Sequence, residues 1–333
     1  MTFETPFLAA LLRFGRHRVS VWGIRILVTL LSLLWIQRQL DVTVLQKIAL
    51  IPATLPLVGM VFFALLFVLV GATKFWLLFR TVTTLTFVSF LRHFLVATAI
   101  GAFTPASLGD FSMAATLRRE GIAVHQSMAL VTVDRVITMA IYGLVFVPLT
   151  LGLVSNFNYL WWIPLGGCML TTGLIVLNAN VRVRRVLSRV MHRFHWNFLI
   201  AFLQTLSNLF RTSPGPVLGN IVLTLFRCLI SGLVVQCALW SAYEYQPFLP
   251  VLSVTNSIAI LNLLPVSFFG FGIYEGGGIA LLGRLGFHQE RVMAGLLYQR
   301  VYVICYSLAM LGIARLFFAR YVGKASVNDG SSP

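Results

Sequence analysis

PATLPLVGMVFFALLFVLVGAT, residues 52–73, runs for 22 positions without an acid, a base or a histidine. As a helix rising 1.5 Å per residue it would reach about 33 Å, enough to cross the roughly 30 Å hydrocarbon core of a bilayer. Apolar runs of comparable character recur at 19–36, 124–154, 159–178, 217–241 and 289–312. Of the 333 residues, 59% are hydrophobic and 10% are charged, against roughly 25% charged in ordinary soluble domains. Such a chain lacks the polar surface a soluble fold needs. The expectation is an all-α, polytopic integral membrane protein.

Charge sets the topology. Lys and Arg number 25 against 9 Asp and Glu, a net of +16. In a soluble protein that balance would point first to nucleic acid. Here the bases gather at the ends of apolar runs, as orientation signals do, so no nucleic-acid partner is expected. Arg13, Arg16 and Arg18 precede the first run and put the N-terminus in the cytoplasm. The second span returns the chain there, to Lys74, Arg80 and Arg92. Arg182, Arg184, Arg185, Arg189 and Arg193 mark another cytoplasmic segment, reached after the spans 124–154 and 159–178. The 217–241 span runs outward, leaving Glu244 outside, and 289–312 returns to Arg315, Arg320 and Lys324. Both termini are then cytoplasmic. No cleavable signal peptide is read at the N-terminus, because its apolar stretch precedes its basic cluster.

Two apolar stretches do not fit as single spans. Residues 93–120 carry cytoplasmic charges on both flanks and break at Thr104-Pro105; 248–285 breaks at Pro265 and a run of glycines. Each half is too short to cross, so both are read as re-entrant hairpins. The expected architecture is about six transmembrane helices plus two such hairpins. One transmembrane domain covers 1–324, with a disordered polar tail at 325–333. A shift of 165 places Asp110 on Glu275, Gly121 on Gly286, Met128 on Met293, Ala129 on Ala294 and Arg135 on Arg300. Charge counting makes the halves, about 52–154 and 217–318, opposite in orientation. Inverted repeats with broken helices are a recurring transporter design whose substrate site lies at the repeat interface.

Acids within the membrane segments are Asp110, Asp134 and Glu275. An ionised group in hydrocarbon costs roughly 2.5–3.5 kcal/mol even on insertion scales, so it faces a partner or a wet cavity. Arg135 and Arg300 lie about eleven residues, roughly 16 Å, into their spans, too deep to snorkel. Their natural partners are Asp110 and Glu275, with a crosswise arrangement between repeats left open and Asp134 next to Arg135. Two roles are compatible with these groups. With the free N–H groups of half-helix N-termini they can hold an anion such as phosphate; equally, the ion pairs can lock the broken helices together.

Other motifs carry less. Phe269-Gly270-Phe271-Gly272-Ile273-Tyr274-Glu275-Gly276-Gly277-Gly278 lacks the GxGxxG spacing and a preceding strand, so no nucleotide cofactor is expected. Cys168, Cys228, Cys237 and Cys305 lie in apolar runs and form no CxxC pair. His192 and His195 beside Arg193 belong to a basic interfacial segment rather than a metal site, and no metal is expected. Arg25 reads as a snorkelling residue and Arg227 as an interior one.

Thr104-Pro105-Ala106-Ser107-Leu108-Gly109-Asp110, Gly121 and Asp134-Arg135 resemble the first signature of the lysylphosphatidylglycerol synthase transmembrane region, or flippase-like domain, family. Leu264-Pro265-Val266-Ser267, Gly270, Gly272, Glu275, Gly286 and Arg300 resemble the second. The resemblance spans roughly 19–318. It implies translocation of an anionic phospholipid or a polyprenyl-phosphate-linked lipid across the bacterial cytoplasmic membrane. It also implies a substrate site built from Gly109, Asp110, Asp134, Arg135, Gly270, Gly272, Glu275 and Arg300, with no catalytic residue. Met113 and Tyr274 stand where family members usually carry bases. The soluble synthase domain of fused members does not follow here, so aminoacylation by this chain itself is not expected. An integral membrane enzyme or accessory subunit acting on a polyprenyl-linked glycan, and a small-anion secondary transporter, are the competing expectations. Assembly with further copies of the chain is left open.

Overall fold

The computed structural model describes residues 52–103, 108–154, 212–260 and 272–328, with isolated positions at 34, 38, 43 and 209. Among them the helices run α1 (Thr54–Phe79), α2 (Phe87–Phe103), α3 (Leu108–Leu117), α4 (Val124–Ile141), α5 (Val147–Val154), α6 (Pro214–Ser241), α7 (Phe248–Ala259), α8 (Ile273–Arg284) and α9 (Gln289–Asn328). No strand occurs among the described residues. The chain is an all-α, multi-pass membrane protein.

Thr54–Phe79, Val124–Val154, Pro214–Ser241 and Gln289–Met310 are long and apolar enough to cross a bilayer. They coincide with four of the six expected spans; 19–36 and 159–178 lie outside the described residues. Composition explains their faces. On α1 the exposed Leu55, Val58, Phe62, Leu65 and Leu69 recur at spacings of three and four, one stripe down the helix. Leu218, Val222, Leu225 and Leu229 do the same on α6. Two such stripes would be a liability in water and suit contact with lipid.

The boundaries differ from the sequence reading in instructive ways. Helix α1 runs six residues past Thr73, so Lys74 belongs to the span and not to the cytoplasm; it is 0% exposed. Helix α6 begins at Pro214, three residues before the expected start of its span at 217, and the missing N–H of Pro214 removes a donor the first turn would leave unpaired anyway. Helix α9 continues to Asn328, past the point where the polar tail was expected to start; 329–333 lie outside the described residues. Glu244, expected in an external loop, is 1% exposed: its carboxylate accepts the His288 N–H and lies 3.7 Å from Arg291.

Helices α1 and α6 pack antiparallel. The Ala53 N–H bonds the Ser241 carbonyl at one end, Gly71 lies against Arg227 midway, and the Asn220 amide bonds the Lys74 carbonyl near the other. Around this pair the core divides. Phe75, Phe79, Phe90, Phe94, Leu117 and Leu130 join α1 to α2, α3 and α4. Val235, Leu239, Val254, Ile279, Val292 and Leu296 join α6 to α7, α8 and α9. Between α4 and α5 the helix widens into a π-helical turn at Tyr142–Phe146, ending two residues before Pro148, whose ring and missing N–H disturb the preceding turn. Helix α7 packs there, with Thr150 and Ser257 hydroxyls 2.7 Å apart.

Candidate functional site

Polar chemistry in the bundle concentrates in two places. The first lies where α1, α4 and α6 meet. The Lys74 ammonium stands 2.8 Å from Asp134 Oδ1 and 3.0 Å from Oδ2, and also donates to Thr138 Oγ1 at 3.2 Å. Asp134 Oδ1 accepts a 2.9 Å bond from the Asn220 amide. Thr224, one turn along α6, donates to the Asn220 carbonyl and takes a long 3.5 Å contact from Lys74. Every helix at this junction contributes a partner. This is how a buried ion pair survives in a dry interior: its remaining donors and acceptors are also satisfied.

Asp134 was expected beside Arg135. Adjacent residues on a helix point about 100° apart, and the carboxylate instead faces Lys74 and Asn220. Arg135 lies within electrostatic reach of Arg227 and Tyr142. Arg227 acts on Lys74 as well. Its guanidinium lies over the Phe67 ring, 4.0 Å from the centroid.

The second place is the start of α8. Gly272 caps this helix at φ 83°, a left-handed conformation that a side chain would strain. Its N–H donates to Glu275 Oε2 at 2.8 Å, so the N3 carboxylate reaches back over the helix N-terminus, where negative charge is favoured. The other oxygen, Oε1, accepts from Arg300 Nε on α9 at 2.5 Å. Glu275 is buried and the Arg300 side chain is 17% exposed. Arg300 also lies 5.3 Å from the Tyr274 ring, and Tyr274 hydrogen-bonds Gln299. An aromatic ring thus stands where a base was expected from the family pattern. It offers its face to the arginine instead of a second charge to a ligand.

Helix α4 begins at Val124 and α9 at Gln289. Gly121 (φ 81°) and Gly286 (φ 90°) are both left-handed. Each pair is 165 residues apart in the chain. Asp110 lies on α3 and Glu275 is the third residue of α8. The side chain of Asp110, the setting of Gly109, and Gly270 lie outside the described residues, so their expected contacts stay with the sequence. Met113, at the other position where a base was expected, is buried among Leu117, Leu130 and Phe94. His93 Nε2 and Glu120 Oε1 meet at 3.2 Å, clipping α2 to the end of α3.

The chain matches the lysylphosphatidylglycerol synthase TM region over residues 22–311. It belongs to that family. No curated protein matches the chain. The family match spans both polar junctions and all four described spans, so the Lys74–Asp134 and Glu275–Arg300 pairs belong to the shared membrane region and not to an appended segment.

Sequence reasoning singled out Asp134, Glu275 and Arg300 as charges inside apolar runs but did not anticipate Lys74, Asn220, Thr138 and Thr224 around Asp134. Asn220 was the available signal: an asparagine inside an apolar span needs a partner as much as an acid does.

Proposed function

We propose that this protein translocates an anionic lipid, a phospholipid or a polyprenyl-phosphate-linked headgroup, across the bacterial cytoplasmic membrane. The observation that carries the reading is the Glu275–Arg300 pair. An arginine deep in a spanning helix is held by a carboxylate at the N-terminus of α8, a helix of 12 residues, roughly 18 Å and too short to cross. A carboxylate that already sits on a guanidinium marks a place where another oxyanion can exchange with it. In this mechanism the headgroup displaces Glu275 from Arg300, Glu275 keeps its bond to the Gly272 N–H, and the acyl or prenyl chains remain in lipid. Arg135 supplies the equivalent contact in the first half, with Asp110 as its exchanging acid.

The matching starts of α4 and α9, the two left-handed glycines and the antiparallel α1–α6 pair support an inverted repeat of about 52–154 and 217–318. The short α8, bounded by Gly272 and Leu285, supports a re-entrant hairpin in the second half. With both termini cytoplasmic, the hairpins enter from opposite faces and offer the headgroup a site to each leaflet in turn.

Proteoliposomes containing dithionite-quenchable phospholipids test the reading. Native protein should make inner-leaflet probe accessible, and folded Arg135→Ala and Arg300→Ala variants should not. Failure of the native protein to move any phospholipid or polyprenyl phosphate would remove the translocation reading. Movement indifferent to both substitutions would keep it and discard this site.

A further inference from the structure

Arg227 has no role in the scheme above, yet its setting is built. It is the fourteenth residue of α6, about 20 Å along a helix long enough to cross the membrane, and so near the middle of the bilayer. An arginine there is costly unless something holds its charge. Among the described residues no carboxylate forms an ion pair with it, and its Nε is enclosed without a hydrogen-bond acceptor. Asp134, the nearest acid on α4, is already shared between Lys74 and Asn220.

The guanidinium is nonetheless fixed in place. Phe67 and Gly71 lie one turn apart on α1. The arginine stacks on the ring of the first and fits over the bare backbone of the second, where an added Cβ would come within 3.3 Å of Nε. A cation held between a ring and a bare stretch of helix has fewer rotamers to lose when a ligand arrives, which lowers the cost of binding. Lys74 lies within electrostatic reach of Arg227 but is already committed to Asp134. The charge of Arg227 in a low-dielectric interior therefore favours an incoming anion.

We propose that Arg227, clamped by Phe67 and Gly71, is an oxyanion-binding residue that takes the phosphate ester of a lipid headgroup at the α1–α4–α6 junction. This rests on the translocation reading for the source of the phosphate. The site's own chemistry would equally accept free phosphate, and the planar fork suits two phosphate oxygens at once. It would serve as a midway station, separate from the Glu275–Arg300 exchange at α8.

The test is retention of lipid by purified protein in detergent, read by native mass spectrometry with phosphatidylglycerol, phosphatidylcholine and inorganic phosphate as probes. Native protein should retain phosphatidylglycerol over phosphatidylcholine. Arg227→Gln should weaken that retention about ten-fold, as expected for loss of a charge-assisted contact. Arg227→Lys, which keeps the charge and loses the fork, should weaken it less, and decides the matter should the glutamine variant not fold. Retention unchanged in the folded variants overturns the proposal. Arg227-dependent thermal stabilisation by inorganic phosphate, without phosphatidylglycerol retention, supports the oxyanion site and assigns it a soluble ligand. The two readings fail separately. Arg227-dependent retention without lipid movement in proteoliposomes sustains this site and removes translocation, whereas movement and retention both indifferent to Arg227→Gln sustain translocation and remove this site.

Discussion

Lys74 and Asp134, sixty positions apart in the chain, meet at 2.8 Å with side chains 0% and 1% exposed. Removing one member leaves the other charged and unpaired among α1, α4 and α6. Lys74→Met should therefore destabilise the protein by about 3–5 kcal/mol. Thermal unfolding in detergent measures it. The double variant Lys74→Met, Asp134→Leu should recover much of the loss, because a well-packed apolar pair avoids desolvating two charges. A single variant as stable as native protein would show that the pair contributes nothing.

Glu275 divides its carboxylate between the Gly272 N–H and Arg300. Glu275→Gln keeps the shape and removes the charge. It should lower thermal stability, and it should raise phosphatidylglycerol retention several-fold, since the headgroup no longer competes with a carboxylate for Arg300. Retention that falls in the folded variant would mean that Glu275 belongs to the binding surface and does not compete with the ligand.

Gly121 and Gly286 hold left-handed φ values at the turns before α4 and α9. A Cβ at either position would meet nothing within 4 Å, so only backbone strain opposes substitution. Gly121→Ala and Gly286→Ala should each cost about 1–2 kcal/mol, and asparagine at the same sites should cost less. Equal melting temperatures for native protein and both alanine variants would contradict this assignment.

Gly295 brings α9 against the backbone of α6. An added Cβ would stand 3.0 Å from the Ala238 carbonyl oxygen, which belongs to a helix and cannot rotate aside. Gly295→Ala should destabilise by roughly 1–3 kcal/mol through overpacking. Gly143→Ala, at a site with open space, is the control and should be near neutral. If the two variants melted alike, close packing of α6 and α9 would be excluded as the reason for Gly295.

The spans were legible because each is written locally. Residues 52–73 announce a crossing by length and lack of charge, and the structure shifts only the edges, extending α1 to Phe79. Glu275 and Arg300 were legible too, since charges inside apolar runs stand out. Their bond could not be assigned from spacing, because within-half and crosswise pairings satisfy the same pattern. Lys74 was misplaced for a related reason. A base near the end of an apolar run looks like an orientation signal, and only the position of Asp134 on another helix shows that it has turned inward. Arg227 looked like an isolated interior residue until α1 supplied a ring and a gap for it.

By itself the sequence determined that this chain lives in a membrane, where most of its spans lie, and which glycines turn the chain. These properties depend on composition within a few helical turns, and the bilayer imposes its thickness on each run separately. The partner of each buried charge was decided only by tertiary structure. Lys74 finds Asp134 and Asn220, and Arg227 finds Phe67 and Gly71, because α1 and α6 pack antiparallel in one register. Which helix faces meet is settled by side-chain packing between segments distant in the chain, and no local spacing encodes it.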